Sequence, residues 1–439
     1  MDLHDAIEWL EGHIHDATWA TRSSRTGDVD LSLDRMQRFA AILGDPQQDL
    51  PVIHVTGTNG KGSTSRIITR LLMAEGLRVG TYSSPHLDSY RERFRIDDTD
   101  IDGDTLAELL TRMAAAEDSL GDRLKPFEVL TGAALRWFAD ERVDVAVVEV
   151  GVLGRFDATN IVGGRVAVVT NIGFDHTSGE GDWQLRIAAE KAGIVKPDAH
   201  LVLGDVEPRL VALFRAERPA TVWWLGTDVT TTADHAVVAG RRLTVTTPMQ
   251  TLPDIDVPLH GPHQSRNAAV AIAAASAFLG RSLQPAAVVR GLAEVRMPAR
   301  LEVVGERPRI ILDGAHNPDA ARALTVAMRT LACRGRRILV VGLLAGRVPV
   351  AMLDDLEAAG FDRVIACTAP TARARPAAEI VAAANSRGIE AIAADDAIDA
   401  LRLALGDAGP HDQVLVTGSI YLVAAARGHL VGAAVRTET

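Results

Sequence analysis

The stretch Val52 to Thr64, VIHVTGTNGKGST, decides how this chain is read. Val52, Ile53 and Val55 around His54 predict a short buried strand, and Ile67 to Ala74 has the spacing of a helix. Between them lie Gly57-Thr58-Asn59-Gly60-Lys61-Gly62-Ser63, so the order is strand, glycine-rich turn, lysine, hydroxyl, helix. That order suits a polyphosphate. Glycines let backbone N–H groups curl round it, a helix N-terminus brings the positive end of its dipole, and lysine adds a movable cation. The spacing departs from the strict Walker pattern, because two residues separate Gly57 from Gly60 and Gly62 stands between Lys61 and Ser63. On pattern alone the alternative is an ordinary strand-to-helix turn whose glycines serve only to reach positive φ.

Outward from this stretch, a length of 439 residues predicts about two or three domains. A hydrophobic fraction of 47% supplies a large core and excludes a disordered chain. The net charge of −11 argues against a surface that coats nucleic acid. Cys333 and Cys367 show no CxxC spacing, so neither a disulfide scaffold nor a zinc site is expected. The first residues, MDLHDAIEWLEGHIHDA, lack a basic segment followed by an apolar one, and no apolar run reaches the ~18 to 20 residues that span a bilayer. The expectation is a cytoplasmic protein without membrane or nucleic-acid partners.

Leu3, Ile7, Leu10 and Ile14 predict an opening helix, Thr21 to Asp30 a polar loop, and Leu33 to Leu43 a second helix. Arg78 to Tyr82 predicts the next strand, and it ends in Ser83-Ser84-Pro85-His86, where a hydroxyl could ligate Mg²⁺ or simply begin a turn. YRERFRI (Tyr90 to Ile96) reads as a solvated strand edge. Val143 to Val150 is a β-branched run that ends on Glu149, a carboxylate at the strand edge where doubly wound sheets bind ligands. Arg165 to Ile172 predicts another strand, with His176 just beyond its end as a further candidate metal ligand. Lys191 stands among apolar neighbours in a predicted helix from Trp183 to Ile194, and a buried ammonium needs a partner or a modification. Residues 201 to 260 predict a small β-rich lobe, and Asn267 opens an alanine-rich helix. A boundary near Met297-Pro298 separates residues 1–297 from 298–439. In the second part, strands at Arg309 to Leu312, Arg337 to Val341, Arg363 to Ala366 and Gln413 to Val416 alternate with helices. The fold class expected is α/β: a P-loop-type nucleotide-binding N-terminal domain carrying the β-rich lobe, followed by a smaller Rossmann-like C-terminal α/β domain.

Collected in order, LSLDRM, HVTGTNGKGST, SSPHL, YRERFRI, FEVLTGAAL, VVEVGVLGRFDATN, DHT, IAAEKAGI, GPHQSRNA, MPARLEVV, ILDGAHNP and LVTGSIYL resemble the folylpolyglutamate synthase/dihydrofolate synthase family of Mur-type ligases over nearly the whole chain. The resemblance implies an ATP-dependent ligase that joins L-glutamate to dihydropteroate, and to tetrahydrofolate and its polyglutamates, through an acyl phosphate. It implies that Thr58, Asn59, Gly60, Lys61, Gly62 and Ser63 bind ATP with Asn267, Arg300 and Asp313. It implies two Mg²⁺ ions, with Ser84, Glu149, His176 and a carbamylated Lys191 as ligands. Lys61, Lys191 and His316 are the implied catalytic residues, and His316 and Ser419 lie in blocks that would face the acyl phosphate and glutamate. Asp28, Val29, Asp30, Leu31, Lys125, Phe127, Phe156, Asp157 and Ala158 occupy the positions implied to hold the pteroate. ATP would lie in a cleft between domains, and a monomer is expected.

The chain departs from the family pattern at three places. Ala345-Gly346-Arg347 stands near where a DKD-like motif is usual, Gly151-Val152-Leu153-Gly154-Arg155 replaces GLGGR, and Lys125 replaces a small hydroxyl residue. These departures keep open a related ligase acting on a non-folate carboxylic acid. A nucleotide-binding module without turnover is the reading from another class, and the presence of Lys61, Glu149, His176 and Lys191 argues against it.

Overall fold

Buried β-branched runs spaced by amphipathic helices leave little choice but a parallel sheet covered on both faces. The computed structural model describes residues 1–15, 32–175, 177 and 179–437, and every count below refers to those residues. The polar stretch from Thr21 to Asp30, and the candidate substrate residues Asp28, Val29, Asp30 and Leu31, lie outside them, as does His176.

The chain divides into two compact units. The first comprises Met1–Ala233, Leu243–Val257 and Ser265–Val295. Its eight-stranded sheet is built from β1 (Val52–Thr56), β2 (Val79–Tyr82), β3 (Phe94–Ile96), β4 (Thr99–Asp100), β5 (Val145–Glu149), β6 (Gly164–Asn171), β7 (His200–Asp205) and β8 (Thr221–Trp224). Their order is β4-β3-β2-β5-β1-β6-β7-β8. β1 pairs in parallel with β5 and β6, and at one edge β3 runs antiparallel to both of its neighbours, β2 and β4. After β1 the chain first builds one side of the sheet and from β6 onward the other, so β1 stands at the topological switch, where α/β sheets bind ligands. On one face of the sheet, Val52, Ala146 and Val148 pack with Leu10, Phe39, Leu110 and Phe138 of the helices Leu3–His15, Asp34–Ile42, Gly103–Leu120 and Pro126–Asp140.

YRERFRI is not simply a solvated edge. Tyr90–Arg93 is a 3-10 turn, and Phe94 is fully buried where β3 pairs with β2. Likewise, the run 201–260 does not form one lobe. β7 and β8 extend the large sheet, and only β9 (Thr230–Val237), β10 (Gly240–Thr247) and β11 (Gln250–Val257) make a separate three-stranded sheet. The apolar continuity of Leu201, Val202 and Leu203, all buried, marks a strand covered on both faces, whereas β10 and β11 mix buried residues with half-buried or exposed ones and β9 has no buried residue.

The second unit comprises Asp234–Arg242, Pro258–Gln264 and Arg296–Thr439. Its six strands, β12 (Glu302–Glu306), β13 (Arg309–Leu312), β14 (Arg337–Val341), β15 (Arg363–Cys367), β16 (Ala391–Ala394) and β17 (Gln413–Thr417), are ordered β12-β13-β17-β14-β15-β16. All neighbours are parallel except β12, which pairs antiparallel with β13. β12 and β16 have no counterpart among the strands expected from the sequence, since EVVGE and AIAA are short and contain Gly or Ala, poor strand formers.

Candidate active site

The loop after β1 is shaped by two glycines that admit no substitute. A Cβ on Gly57 (φ 149°) would stand 1.8 Å from Thr170 Oγ1, and one on Gly60 (φ 81°) would stand 2.6 Å from Asn267 Oδ1. The end of β6 holds the loop from beneath. Asn171 Oδ1 accepts from the backbone N–H of Thr58 (3.1 Å) and Asn59 (2.9 Å), and Thr170 Oγ1 donates to the Asn59 carbonyl at 2.5 Å. Lys61 opens the helix Lys61–Ala74, folding back so that Nζ donates to the Gly57 carbonyl at 3.0 Å. Gly60 is the N-cap of that helix and no side chain caps it, so the helix begins as an anion-binding end. Asn267, expected at the nucleotide, is brought to Gly60. Thr170 and Asn171 were not singled out from the sequence, although a buried run ending in Thr-Asn is the signal that would find them.

Glu149 ends β5 and is 3% exposed. Its Oε2 accepts from the Ser84 backbone N–H at 3.2 Å, and a Cβ on Gly62 would lie 3.6 Å from the same oxygen. The carboxylate therefore faces the first turn of the phosphate-loop helix, whose dipole compensates part of its burial. Ser84 and Glu149 thus come together from neighbouring strand ends, and a hydroxyl with a carboxylate is the hard-oxygen donor set that suits Mg²⁺. No group of three or more His, Cys, Asp or Glu side chains gathers as a metal cage among the described residues.

Lys191 lies in the helix Trp183–Ala192 and is 4% exposed. Burial, aided by the positive charge of Lys61, lowers its pKa to about 7 against the opposing pull of Asp175 and Asp157. Near neutral pH much of Lys191 is therefore the free amine, the form able to add carbon dioxide. The loop after β5 packs directly on it. A Cβ on Gly154 would stand 2.9 Å from the Glu190 carbonyl and 3.2 Å from Lys191 Cα. In that loop Leu153 adopts φ 62°, a left-handed conformation that costs a non-glycine residue about 1 to 2 kcal/mol. The Asp157 side chain caps the 3-10 turn Ala158–Ile161, its Oδ1 accepting from Thr159 N at 3.0 Å, while Oδ2 accepts from Val152 N at 2.9 Å. Burial raises the Asp157 pKa, and the Thr159 hydroxyl is the first of several hydrogen bonds acting in the opposite direction.

Phe127 sits against the same loop, since a Cβ on Gly151 would meet Phe127 Cζ at 2.6 Å. Phe156 is 39% exposed, and Ala158 is buried. Lys125 is the N-cap residue of Pro126–Asp140, and its backbone N–H is taken by Glu128, which pairs with Arg35 at 2.9 Å.

In the second unit, Asp313 follows β13 and is buried. Its Oδ2 accepts from Leu301 N and its Oδ1 from Ala315 N, each at 2.8 Å. Burial raises its pKa, with the Arg300 guanidinium acting against that shift. Ala299 (φ 58°) and Leu301 (φ 51°) hold strained backbone on both sides of Arg300, and a Cβ on Gly314 would stand 2.7 Å from Arg300 Nη1. Arg300 and Asp313 are thus together. His316 Nδ1 lies 2.9 Å from the Gly314 carbonyl, which fixes Nδ1 as a protonated nitrogen. Ser419 is fully buried and its Oγ accepts from Leu422 N at 3.1 Å, capping the helix Ile420–Thr437.

A glycine-built phosphate loop with a lysine, a buried carboxylate beside it and a second parallel α/β unit carrying an Arg–Asp pair define a nucleotide-dependent ligase of the Mur type. Family models agree: the Mur ligase middle domain matches residues 55–275, and the Mur ligase glutamate ligase domain matches residues 299–420. A folylpolyglutamate synthase of Lacticaseibacillus casei is 36% identical over 94% of this chain and 96% of its own. FolC of Escherichia coli, solved in complex with DHPP and ADP, superposes with a TM-score of 0.85 at 32% identity, covering 99% of this chain and 98% of that one. A bifunctional folylpolyglutamate synthase/dihydrofolate synthase, solved with Mn, AMPPNP and L-glutamate, gives a TM-score of 0.84 at 32% identity over 97% and 98% of the two chains. The chain belongs to the folylpolyglutamate synthase/dihydrofolate synthase family of Mur ligases. No helix among the described residues is long and apolar enough to cross a membrane.

Proposed function

We propose that the protein joins L-glutamate to dihydropteroate, and to tetrahydrofolate and its polyglutamates, at the expense of ATP. The observation that carries this reading is the uncapped start of Lys61–Ala74, with Lys61 on its first residue and the buried Glu149 facing its first turn. Thr58, Asn59, Gly60, Lys61, Gly62 and Ser63 would cradle the phosphates, which the position of Asn267 beside Gly60 supports; Arg300 and Asp313, in the second unit, are the further nucleotide positions that the family resemblance implies. Ser84, Glu149 and His176 would hold one Mg²⁺, and a carbamylated Lys191 a second; the ions supply charge neutralisation on the phosphates when bound.

An oxygen of the acceptor carboxylate attacks the γ-phosphorus, the bond to the bridging oxygen breaks, and ADP leaves with an acyl phosphate formed. The glutamate amine then adds to the acyl carbon, loses a proton, and inorganic phosphate departs. Lys61 counters charge on the transferring phosphoryl group, so positioning and electrostatics carry the chemistry and no protein nucleophile takes part. His316, whose Nδ1 lies on the Gly314 carbonyl, is proposed to act at the incoming amine, with Ser419 in a block that would face the same substrate. Asp28, Val29, Asp30, Leu31, Lys125, Phe127, Phe156, Asp157 and Ala158 would hold the acceptor.

A trap tests the sequence of steps. With ATP, Mg²⁺, dihydropteroate and hydroxylamine but no glutamate, the acyl phosphate should yield the hydroxamate; its absence alongside normal ligation would remove the intermediate. Leu153 at positive φ and Lys125 favour a second reading, the same chemistry on a non-folate acid, and hydroxamate from such an acid but from neither folate would select it.

Residues 1–297 are proposed as the ATP-binding domain and 298–439 as the glutamate-ligase domain, with limited proteolysis expected to cut near Met297-Pro298. The protein is proposed to act as a cytoplasmic monomer, which light scattering of the eluting protein tests for mass.

A further inference from the structure

The run Tyr90 to Ile96 carries three arginines, and two of them have an oxygen partner. Arg91 Nε donates to the Ile101 carbonyl at 2.6 Å, and Arg95 Nε pairs with Asp100 at 2.5 Å. Arg93 is half-buried, yet among the described residues it has neither a carboxylate nor a carbonyl partner. Its side chain is fixed all the same. Nε donates to His86 Nδ1 at 2.8 Å, and the guanidinium carbon lies 5.5 Å from the centre of the Tyr90 ring, itself 4.4 Å from the His86 ring. A guanidinium only donates, so His86 Nδ1 is the bare acceptor and the imidazole carries its proton on Nε2. The adjacent carboxylate of Glu92 is spent elsewhere, accepting from the backbone N–H groups of Leu87 (3.0 Å), Asp88 (2.7 Å) and Ser89 (2.7 Å).

This cation stands at the edge where Ser84 and Glu149 meet. The Arg93 carbonyl accepts from Ser83 N at 3.1 Å, one position before Ser84, whose N–H goes to Glu149. Its charge also reaches the Tyr82 phenol: burial raises the pKa of that group, and Arg93 is the first influence acting against the rise. The Tyr82 ring lies 5.8 Å from that of Phe127, which packs against Gly151. β5 separates β2 from β1, so the end of β2 is two strand spacings, ~10 Å, from the phosphate loop. The anion that Arg93 suits is therefore a different one from the phosphates held after β1.

Drawing a guanidinium partly out of water without an anion costs free energy that a ligand can return. With Nε used by His86, Nη1 and Nη2 remain, and their parallel N–H groups match the two oxygens of one carboxylate. We propose that Arg93 binds a carboxylate of the acid substrate through Nη1 and Nη2, with His86 and Tyr90 holding the guanidinium in place. The inference rests on the reading that the protein activates a carboxylic acid beside the β1 loop. In that reaction a second anion must approach a site already holding phosphates, and a fixed cation offsets the repulsion.

The test is steady-state kinetics of the full-length protein, wild type, Arg93→Gln and Arg93→Lys, with each substrate varied in turn and thermal melting as the check on folding. Arg93→Gln should raise KM for the acid about tenfold or more, the scale of a hydrogen bond between charged groups, while KM for ATP and for L-glutamate stay within about twofold. Arg93→Lys keeps the charge without the fork and should give an intermediate KM. A rise for dihydropteroate and tetrahydrofolate alike puts their reacting carboxylate on Arg93, and a rise for tetrahydrofolate alone puts its spare carboxylate there. Inhibition by the carboxamide of pteroate, uncharged at that end, should be the same in wild type and Arg93→Gln. An unchanged KM for both acids in folded variants, an equal rise in KM for ATP, or an equal loss of carboxamide inhibition would overturn the proposal. Phenylglyoxal labelling of the wild type, mapped by mass spectrometry, tests the contact without turnover: benzoate should protect Arg93, and no protection refutes the carboxylate site. If the wild type used neither folate, the functional reading would fall, while benzoate protection still decided whether Arg93 takes a carboxylate.

Discussion

The loops after β1 and after β13 are both strand-to-helix turns at the C-terminal edge of a parallel sheet, and in both a side chain takes loop N–H groups, yet they start the following helix in opposite ways. After β1, Gly60 caps the helix Lys61–Ala74 with no side chain, and the supporting groups, Thr170 and Asn171, hold the loop from behind. After β13, a side chain caps the helix. Asp313 accepts from Leu301 N and Ala315 N, Asn317 Oδ1 accepts from Ala320 N at 2.9 Å, and Pro318 opens the next helix without an N–H. The same topology leaves the helix start without a side-chain cap in one unit and capped by Asn317 in the other. A strand edge is therefore only a place where a site can be built; the capping residue decides whether it binds phosphate.

The largest effect should come from the open loop. Lys61→Ala is expected to lower kcat about a thousandfold or more while thermal melting shows an intact fold. Wild-type turnover in that variant would remove the β1 loop from the chemistry and with it the contrast. Next, Gly57→Ala forces a Cβ into Thr170 and should destabilise the protein by about 2 to 3 kcal/mol in urea titrations, with nucleotide binding lost in parallel.

The third effect concerns what β1 carries and β13 does not, a buried histidine. The His54 pKa falls from 6.5 unfolded to about 3 folded, so between those values the unfolded chain binds the extra proton. Stability from this group is present above pH 6.5 and is lost as pH falls toward 3, at up to about 1.4 kcal/mol per pH unit. Denaturation of wild type and His54→Gln across that range should show the variant's pH dependence to be shallower; parallel curves would show that His54 is protonated in the native state.

On the closed side, Asn317→Ala removes a cap and should cost about 1 kcal/mol with unchanged nucleotide affinity. A large loss of nucleotide affinity there would mean that the capped turn also binds the anion. The smallest change is Leu153→Gly. Relief of the left-handed leucine is offset by glycine's unfolded-state freedom, so a net gain of no more than about 1 kcal/mol is expected in the same titrations.

How legible this was in the sequence followed from the range of the interactions involved. The β1 loop could be read because strand, glycines, lysine and helix are consecutive. The strands β5, β6, β13, β14, β15 and β17 could be read because each is a buried β-branched run. Ser84, Glu149 and Lys191 are legible from strand ends and an apolar setting, Asn267, Arg300, Asp313 and His316 through family motifs, and the structure brings Ser84 to Glu149, Asn267 to Gly60 and Arg300 to Asp313. What the sequence hid were contacts between distant segments. Thr170 reaches Asn59 across 111 positions, and His54 reaches Thr159 across 105. No periodicity encodes such pairs. β12 and β16 were hidden for a different reason, since their propensity is weak and pairing with β13 and β15 stabilises them.

The most direct test of the central claim is phosphate release by wild type and Lys61→Ala with Mg²⁺ and ATP, in the presence and absence of L-glutamate and with dihydropteroate, tetrahydrofolate or no acceptor, with products identified by mass. The account predicts release by wild type that requires both glutamate and a folate acid, a product heavier by one glutamyl residue, and none with Lys61→Ala. Release that continues without an acceptor, or that survives in Lys61→Ala, would contradict it.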